Sequence, residues 1–367
     1  MSLFFNAPTP FIAADTGIIV YFSIWGAGGA GGGADTVVNT SDANAAGSGG
    51  NGSFVEFSVS GLKGTETFKL APGSEGIKGL KAVGGGAGGG SGAASLLYIV
   101  DGSNSEMIAI AGAGGGGGGM GVSGNTTRAN HGGSGGGLTG AAQNGQGYGT
   151  PSDGAYGDGA TVSAIGIANA GDADPKDKGE DGGSPSTGTV PYAGNGGAGG
   201  RVDNATPGGG GAGGTNGASV GDGAAGGLGF SNEGAGGAGG AGYYGGGGGR
   251  ADAGGGDDGG GGGGGSSFLN TSPGGTFSYL TITETGNSAA GTAKSTTPTE
   301  NTAQAAGSTN FFSVAVAGGG GAGAPAQDQD GSDGSAGKIV YGKTAESPTT
   351  VNPAGTPAVS NLLASEI

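Results

Sequence analysis

One stretch near the C-terminal end has the residue spacing of a phosphate-binding loop. In the sequence GKIVYGKT, Gly337, Gly342, Lys343 and Thr344 match the pattern GxxxxGK followed by Ser or Thr. Such a loop binds phosphate where it connects a strand to a helix, because its backbone amides must converge on the ligand. The intervening KIVY has the pattern of a strand, and the prolines of the following AESPTTVNPAGTP prevent a helix. We therefore predict a strand over 337–342 and no nucleotide site.

Two acidic stretches carry carboxylates spaced closely enough to surround a calcium ion. They are DADPKDKGED at residues 172–181 and DQDGSDG at residues 328–334. Oxygen ligands on a glycine-containing loop suit Ca²⁺, but neither stretch matches the twelve-residue calcium loop. We favour solvated turns for both, and calcium binding stays open as the alternative.

Residues that could perform catalysis are sparse. The single histidine, His131, stands in TTRANHGGSGGG without a Cys or a second His to complete a metal site. No nucleophile elbow and no paired carboxylates in a strand context accompany it. We predict that His131 is a polar loop residue and that the chain is not an enzyme. We also predict no catalytic residue, no cofactor and no metal.

Aromatic residues interrupt the glycine-rich runs and are the candidates for contacting a receptor. A tyrosine offers a large apolar face and a polar end at low entropic cost, which suits recognition loops. The alternative is that these rings fill gaps where the glycine-rich part meets a β-sheet body. The candidates are Tyr148, Tyr156, Tyr192, Phe230, Tyr243 and Tyr244.

The composition excludes several classes of partner. Of the 367 residues, 104 are Gly, 12 are Lys or Arg and 28 are Asp or Glu, so the formal net charge is -16. Nucleic-acid binding needs a basic face to displace phosphate counterions, and anionic lipid attracts basic segments. No apolar run approaches the roughly 20 residues of a membrane span. We predict no nucleic-acid partner, no membrane insertion and, because the first basic residue is Lys63, no secretory signal.

Short runs rich in β-branched and aromatic residues indicate strands on both sides of a glycine-rich region. FVEFSV within residues 52–60 alternates with period two, which is typical of a half-buried strand. We predict an all-β protein with a β-sandwich or jelly-roll-like body and essentially no α-helix, in which Trp25 anchors the core beneath the glycine-rich part. The predicted strands cover residues 17–25, 52–60, 67–70, 79–83, 94–100, 106–112, 276–283, 310–316 and 337–342.

The glycine-rich region has a repeat of three residues. Residues 112–265 contain 65 of the glycines, and stretches such as GAGGAGGAG at 234–242 repeat every third position. A disordered linker is one explanation of such a composition. Three residues per turn is also the period of a polyproline-II-type helix, and glycine helices of this kind can pair their amides with one another. We favour an ordered polyglycine-II bundle.

At this level the sequence resembles the glycine-rich domains that build a polyglycine-II lattice on a small β-sandwich. The likeness lies in IWGAGGAGGG (24–33), GGNGSFVEFSV (49–59), TFKLAPGSEG (67–76), IAIAGAGGGGGG (108–119) and GSAGKIVYG (334–342). Similar strings occur in phage tail-fibre and adhesin proteins, in other virion proteins and in the glycine-rich region of anaplastic lymphoma kinase receptors. Because this chain has no Cys, it departs from the receptor branch.

The resemblance and the composition together predict four parts and a structural role. They are a first part of the sandwich with an N-terminal arm (1–112), a polyglycine-II insert (113–265), the remaining strands (266–343) and an extended C-terminal arm (344–367). We expect a non-enzymatic virion protein of the capsid surface, a spike or a fibre, with other virion proteins as partners and homo-oligomers, trimers among them. The alternative is a phage tail-tip adhesin that binds a host surface protein or glycan through its loops. A hydrolase of surface polysaccharide is a third class.

Overall fold

The structure of the chain is a computed structural model. The described residues are 18–35, 46–81, 85–121, 130–146, 156–168, 179–185, 193–199, 223–224, 226–227, 234–251, 258–292, 307–326, 328–343, 349–353 and 360–363.

Ten strands form two antiparallel sheets in the described part of the chain, which has no α-helix and one 3-10 turn at Gly275–Phe277. The all-β prediction is therefore confirmed. The strands are β1 (Val20–Trp25), β2 (Phe54–Ser60), β3 (Thr67–Ala71), β4 (Ser95–Asp101), β5 (Asn104–Ala111), β6 (Phe268–Leu269), β7 (Thr281–Glu284), β8 (Lys338–Gly342), β9 (Thr349–Val351) and β10 (Ser360–Leu363).

The two sheets pack face to face around one apolar core. One sheet has the strand order β7-β2-β1-β8-β9, and the other has the order β10-β3-β4-β5-β6. Phe22 of β1 lies 5.4 Å from Phe57 in its own sheet and 5.1 Å from Phe68 in the other, measured between ring centroids. All three rings are fully buried, so Phe22 joins the two layers of the sandwich.

The C-terminal part adds an edge strand to each sheet. β9 pairs with β8 through Ile339 and Val351, and β10 pairs with β3 through Leu70 and Ser360. Within the described residues, this part of the predicted arm therefore pairs with the chain's own sandwich. Short strands at all four sheet edges limit pairing with foreign strands.

The strands predicted at 79–83, of which 82–83 lie outside the described residues, and at 310–316 are wrong, and the one predicted at 276–283 is a strand only from Thr281 onward. Gly79 belongs to the glycine-rich lattice described below, where its amide donates to the carbonyl of Gly31. The segment 310–316 turns at Ser313, whose φ of 52° lies in the left-handed region. The side chain of Asn310 closes this turn by bonding both the amide and the carbonyl of Val314. Local hydrogen bonding thus overrides the strand pattern of NFFSVAV.

The glycine-rich segments form a hexagonal lattice on one end of the sandwich. Residues 26–34, the central segment, continue directly from β1. Their amides donate in rotation to three neighbouring segments, and their carbonyls accept from three others, with a period of three residues. These neighbours also bond to one another in a closed ring. In ring order they are residues 46–53, 112–120, 86–93, 73–80, 328–337 and 318–324.

The period of three in these bonds is the one that a polyglycine-II helix requires. Gly114, Gly117 and Met120 donate to successive third residues of the central segment, for example Gly114 to Ala27 at 3.0 Å. Gly115 and Gly118 donate to Gly133 and Asn130 of another segment at 2.9 and 2.8 Å. Consecutive amides therefore point a third of a turn apart, and each finds a partner.

The lattice excludes side chains at most positions. A Cβ atom built on Gly29 would lie 2.1 Å from the carbonyl oxygen of Gly115, and one on Gly116 would lie 1.9 Å from that of Gly89. Alanine occurs where the lattice leaves room, as at Ala235, Ala238 and Ala241, which are fully buried at a spacing of three. Glycine is therefore required by close packing of backbones.

The lattice also draws on segments outside the predicted insert of residues 113–265. The central segment and five of its six neighbours lie wholly outside that range. Strands β1, β2, β4, β5 and β8 each continue directly into a lattice segment. Each of these stretches of chain therefore contributes a strand to the sandwich and a glycine helix to the lattice.

Candidate functional site

The aromatic candidates that lie within the described residues occupy two different places in the structure. Tyr148, Tyr192 and Phe230 lie outside the described residues. Tyr243 and Tyr244 form a turn where the lattice meets the sandwich, and their rings meet edge to face with centroids 5.1 Å apart. The remaining candidate, Tyr156, stands beside a lattice segment and is half-buried.

Tyr243 fills a gap between lattice and sheet. Its ring stacks on Phe268 at 4.3 Å between centroids, and both pack against an apolar cluster on the outer face of β4 and β5. Burial, with a smaller contribution from Tyr244, raises the pKa of the Tyr243 hydroxyl. This environment corresponds to the gap-filling alternative of the sequence analysis. The cluster consists of Ala94, Leu96, Tyr98, Met107, Ile110, Ala193 and Ala241.

Residues 156–168 form a hairpin with exposed apolar side chains. Its backbone closes through the bond from Asp158 to Ile167 at 2.9 Å and the turn bond from Thr161 to Ala164 at 2.9 Å. Val162 at the tip is 44% exposed and Ile167 is 48% exposed. These two side chains give the hairpin an exposed apolar surface. Val162 and Ile167 were not among the sequence candidates, because neither interrupts a glycine run.

The second acidic stretch is paired with lysines. Lys81 lies 2.9 Å from Asp328 and Lys78 lies 3.1 Å from Asp330, measured between ammonium nitrogen and carboxylate oxygen. The carboxylates of Asp330 and Asp333 also accept the backbone amides of Lys81 and Lys78. The backbone amide of Lys81, together with the Lys78 ammonium, lowers the pKa of Asp330.

The solvated turn predicted for 328–334 is thus a lattice segment, and its carboxylates join neighbouring backbones. Lys78 and Lys81 lie in GIKGLK at a spacing of three, and Asp330 and Asp333 have the same spacing. This shared spacing of three residues is the feature of the sequence that indicates the pairing of lysines with aspartates. In the first acidic stretch, residues 172–178 lie outside the described residues, and Asp181 accepts the amide of Ala168 at 2.9 Å.

His131 is a buried lattice residue, so the prediction of a polar loop residue is wrong. Its side chain is fully buried, and its Nδ1 atom accepts the backbone amide of Ser48 at 2.9 Å. Three residues further along, the hydroxyl of Ser134 accepts the amide of Asn51 at 3.1 Å. The pair replaces two backbone carbonyls in the lattice, and the spacing of three again carries the signal.

Glu56 is a fully buried carboxylate that fastens two connecting segments to the outer face of β2. Its Oε1 accepts the hydroxyl of Ser23 at 2.7 Å and the amide of Phe311 at 2.7 Å. Its Oε2 accepts Thr285 at 2.8 Å and Asn287 at 2.7 Å. Four donors thus compensate the buried charge, which gives Glu56 a positioning role.

Glu66 forms a second buried carboxylate site at the opposite end of the sandwich. The amides of Lys63, Gly64 and Thr65 and the hydroxyl of Tyr279 donate to it. Burial raises the pKa of Glu66, but the bonds from Tyr279 and from the backbone outweigh burial, so its pKa is lowered. Burial and the bond to Glu66 raise the pKa of Tyr279. The ammonium of Lys63 lies 3.4 Å from the centre of the Tyr279 ring.

The phosphate-loop pattern has the predicted structure. Residues 338–342 form β8, which pairs with β1 across Ile24 and Ile339. A strand whose amides bond to a neighbouring strand cannot turn them toward a phosphate.

Within the described ranges, no group of three or more His, Cys, Asp or Glu side chains is placed to hold a metal ion. The same ranges contain no helix long and apolar enough to cross a bilayer. No protein-family model matches the chain, and no curated protein is significantly similar to it.

Proposed function

We propose that this chain is a non-enzymatic structural protein of a virion, acting at the capsid surface or in a spike or fibre. The observation that carries the proposal is the closed ring of six segments around residues 26–34. Because backbone bonds join each segment to several others, the block resists bending and shear in every lateral direction. Such a block suits a mechanical role in which a small body must project a stiff element.

The charge of the chain supports the same role. Each copy carries a formal net charge of -16, so particles that display many copies repel one another. The same charge limits nonspecific adhesion. Other virion proteins and further copies of this chain are the proposed partners, and a trimer suits a spike or fibre.

Immunogold labelling of purified particles tests this proposal. We expect the label at a defined position on the particle surface, and a fixed copy number by quantitative mass spectrometry. Protein found only in the soluble fraction of the lysate, with unlabelled particles, would overturn the proposal.

The hairpin at 156–168 favours a second candidate function, a tail-tip adhesin for a host surface protein or glycan. Val162 and Ile167 are exposed on it and Tyr156 at its start is half-buried, so the hairpin offers a ligand apolar side chains and a tyrosine. A variant with Val162→Ser and Ile167→Ser should assemble normally and lose attachment to host cells. A matched control is Ile19→Ser, because Ile19 is also 44% exposed but lies at the β1 end away from the lattice. Equal attachment by both variants would eliminate this candidate.

A further inference from the structure

One lattice position beside residues 86–93 is filled by no described residue. Three described stretches border it, namely residues 74–81, residues 86–93 and residues 223–224 with 226–227. Residues 86–93 bond to both of the others, since the amide of Ser91 donates to Ala224 at 2.9 Å and the amide of Gly90 donates to Ile77 at 2.8 Å. We call the space between these three segments the open groove.

The first wall of the open groove presents unused amides. In residues 74–81 the amides of Gly76 and Gly79 donate to the central segment, and those of Lys78 and Lys81 donate to aspartates. The amides of Ile77 and Leu80 form the third column of donors around this threefold helix. Their amides donate to no group in the described part of the chain. Their side chains are 75% and 56% exposed, so solvent reaches this wall.

The base of the open groove presents unused carbonyls. In residues 86–93 the carbonyls of Ala87, Gly90 and Ala93 accept from the central segment, and those of Gly86, Gly89 and Gly92 accept from residues 235–241. The carbonyls of Gly88 and Ser91 form the third column of acceptors around this helix, and they accept no bond from any described residue. On the opposite wall, the amide of Gly226 likewise donates to no described group.

The space itself differs from the filled positions of the lattice. A Cβ atom on Gly90 would meet nothing closer than 3.1 Å, its nearest neighbours being Ile77 and Ala224. A Cβ on the adjacent Gly89 would lie 2.2 Å from the carbonyl oxygen of Ala30. Ala87 and Ala93, on the same line as Gly90, keep 7% and 6% exposure. The base is therefore a smooth row of small residues.

We propose that the open groove binds a glycine-rich segment of another protein chain in the polyglycine-II conformation. Around the groove the bonding groups alternate as amide, carbonyl and amide, which is the order found around the central segment. Groups three residues apart repeat at about 9 Å along such a helix, so the occupant meets each column with its own period. It must keep free N–H groups and small side chains, which selects glycine over proline.

A Lys-flanked peptide of four Gly-Gly-Ala repeats is the probe, with binding measured by fluorescence anisotropy to the full chain. The control peptide has proline at all twelve positions between the lysines, which keeps the extended helix and removes every backbone donor. We expect saturable binding of the glycine peptide and at least tenfold weaker binding of the proline peptide. Equal binding of both, or none of either, would overturn the proposal.

Proline substitutions in the protein test the wall directly. Ile77→Pro and Leu80→Pro together remove two amides that donate to no described group, while proline's φ of about -65° fits an extended threefold segment. We expect at least tenfold weaker peptide binding with an unchanged unfolding midpoint. Glu75→Pro is the matched control, because the Glu75 amide belongs to the column of Lys78 and Lys81, which faces the aspartates. Loss of binding in this control but not in the double variant would contradict the proposal.

Two further readouts keep the test independent of folding. In the wild-type chain the amides of Ile77 and Leu80 should exchange with solvent rapidly, and the peptide should slow that exchange. The rival occupant is the chain's own GGGGAGG at 208–214, which lies outside the described residues. If the peptide binds only after deletion of residues 205–217, the groove is filled in cis and the proposal fails.

Discussion

The imidazole of His131 accepts the backbone amide of Ser48 at 2.9 Å in the interior of the glycine lattice. One turn further along, Ser134 accepts the amide of Asn51 at 3.1 Å. Polar side chains at a spacing of three thus supply further acceptors between two segments that also share backbone bonds, such as the one from Gly132 to Ser48 at 2.8 Å. Asp330 and Asp333 do the same on the outer edge of the lattice.

Replacing His131 tests this role of a side-chain acceptor. His131→Ala leaves the buried Ser48 amide without a partner, which costs about 1–3 kcal/mol in addition to the lost packing. His131→Asn retains an acceptor atom at the same distance from the backbone and should recover much of that loss. Urea unfolding of the three proteins measures the difference. Equal stability of the Ala and Asn variants would show that the bond contributes nothing.

Two glycine substitutions test the packing of the lattice. Gly116→Ala places a Cβ 1.9 Å from the carbonyl oxygen of Gly89, so neighbouring backbones must move apart. We expect a loss of about 3 kcal/mol or more. Gly140→Ala is the control, because its Cβ meets nothing within 4 Å and the restricted unfolded chain adds stability of about 0.4–1 kcal/mol. Thermal unfolding should shift down for the first variant and slightly up for the second.

Glu56 should tolerate no isosteric replacement. Glu56→Gln turns an NH₂ group toward donors that now face a carboxylate oxygen, so at least one of them loses its acceptor. We expect a loss of about 2–3 kcal/mol in the free energy of unfolding. Glu75→Gln is the comparison, since Glu75 is exposed and its change should lie within about 0.5 kcal/mol. A small effect at both positions would refute the positioning role of Glu56.

The bond between Glu66 and Tyr279 makes the free energy of unfolding depend on pH in the acidic range. Because the pKa of Glu66 is lowered from 4.5 on folding, its contribution is complete above pH 4.5 and is lost as the pH falls through the folded value. Tyr279→Phe removes the donor but keeps the ring under Lys63. We expect the stability difference between wild type and this variant to be constant near pH 7 and to shrink in acid. A difference that grows below pH 4 would contradict this assignment.

The sequence predicts local conformation well where one period dominates. The alternation of FVEFSV identifies β2, and the threefold repeat of GAGGAGGAG identifies a lattice segment. The exposed surface at Val162 and Ile167 is harder to predict from the sequence. It depends on a hairpin that is attached to distant lattice segments, for example by the bond from Gly166 to Gly245. Residues 310–316 have the apolar character of a strand, but the chain turns at Ser313, because the side chain of Asn310 bonds the backbone of Val314 four residues along.

The sequence by itself determined the all-β class and the glycine period of three, since both follow from what each residue's own backbone and neighbours allow. The tertiary structure decided which segment stands beside which. Amides and carbonyls of every glycine segment are equivalent in bonding power, so the order of the six segments around residues 26–34 comes from the strands that deliver them. The same placement buries His131 and leaves Ile77 and Leu80 at an open edge.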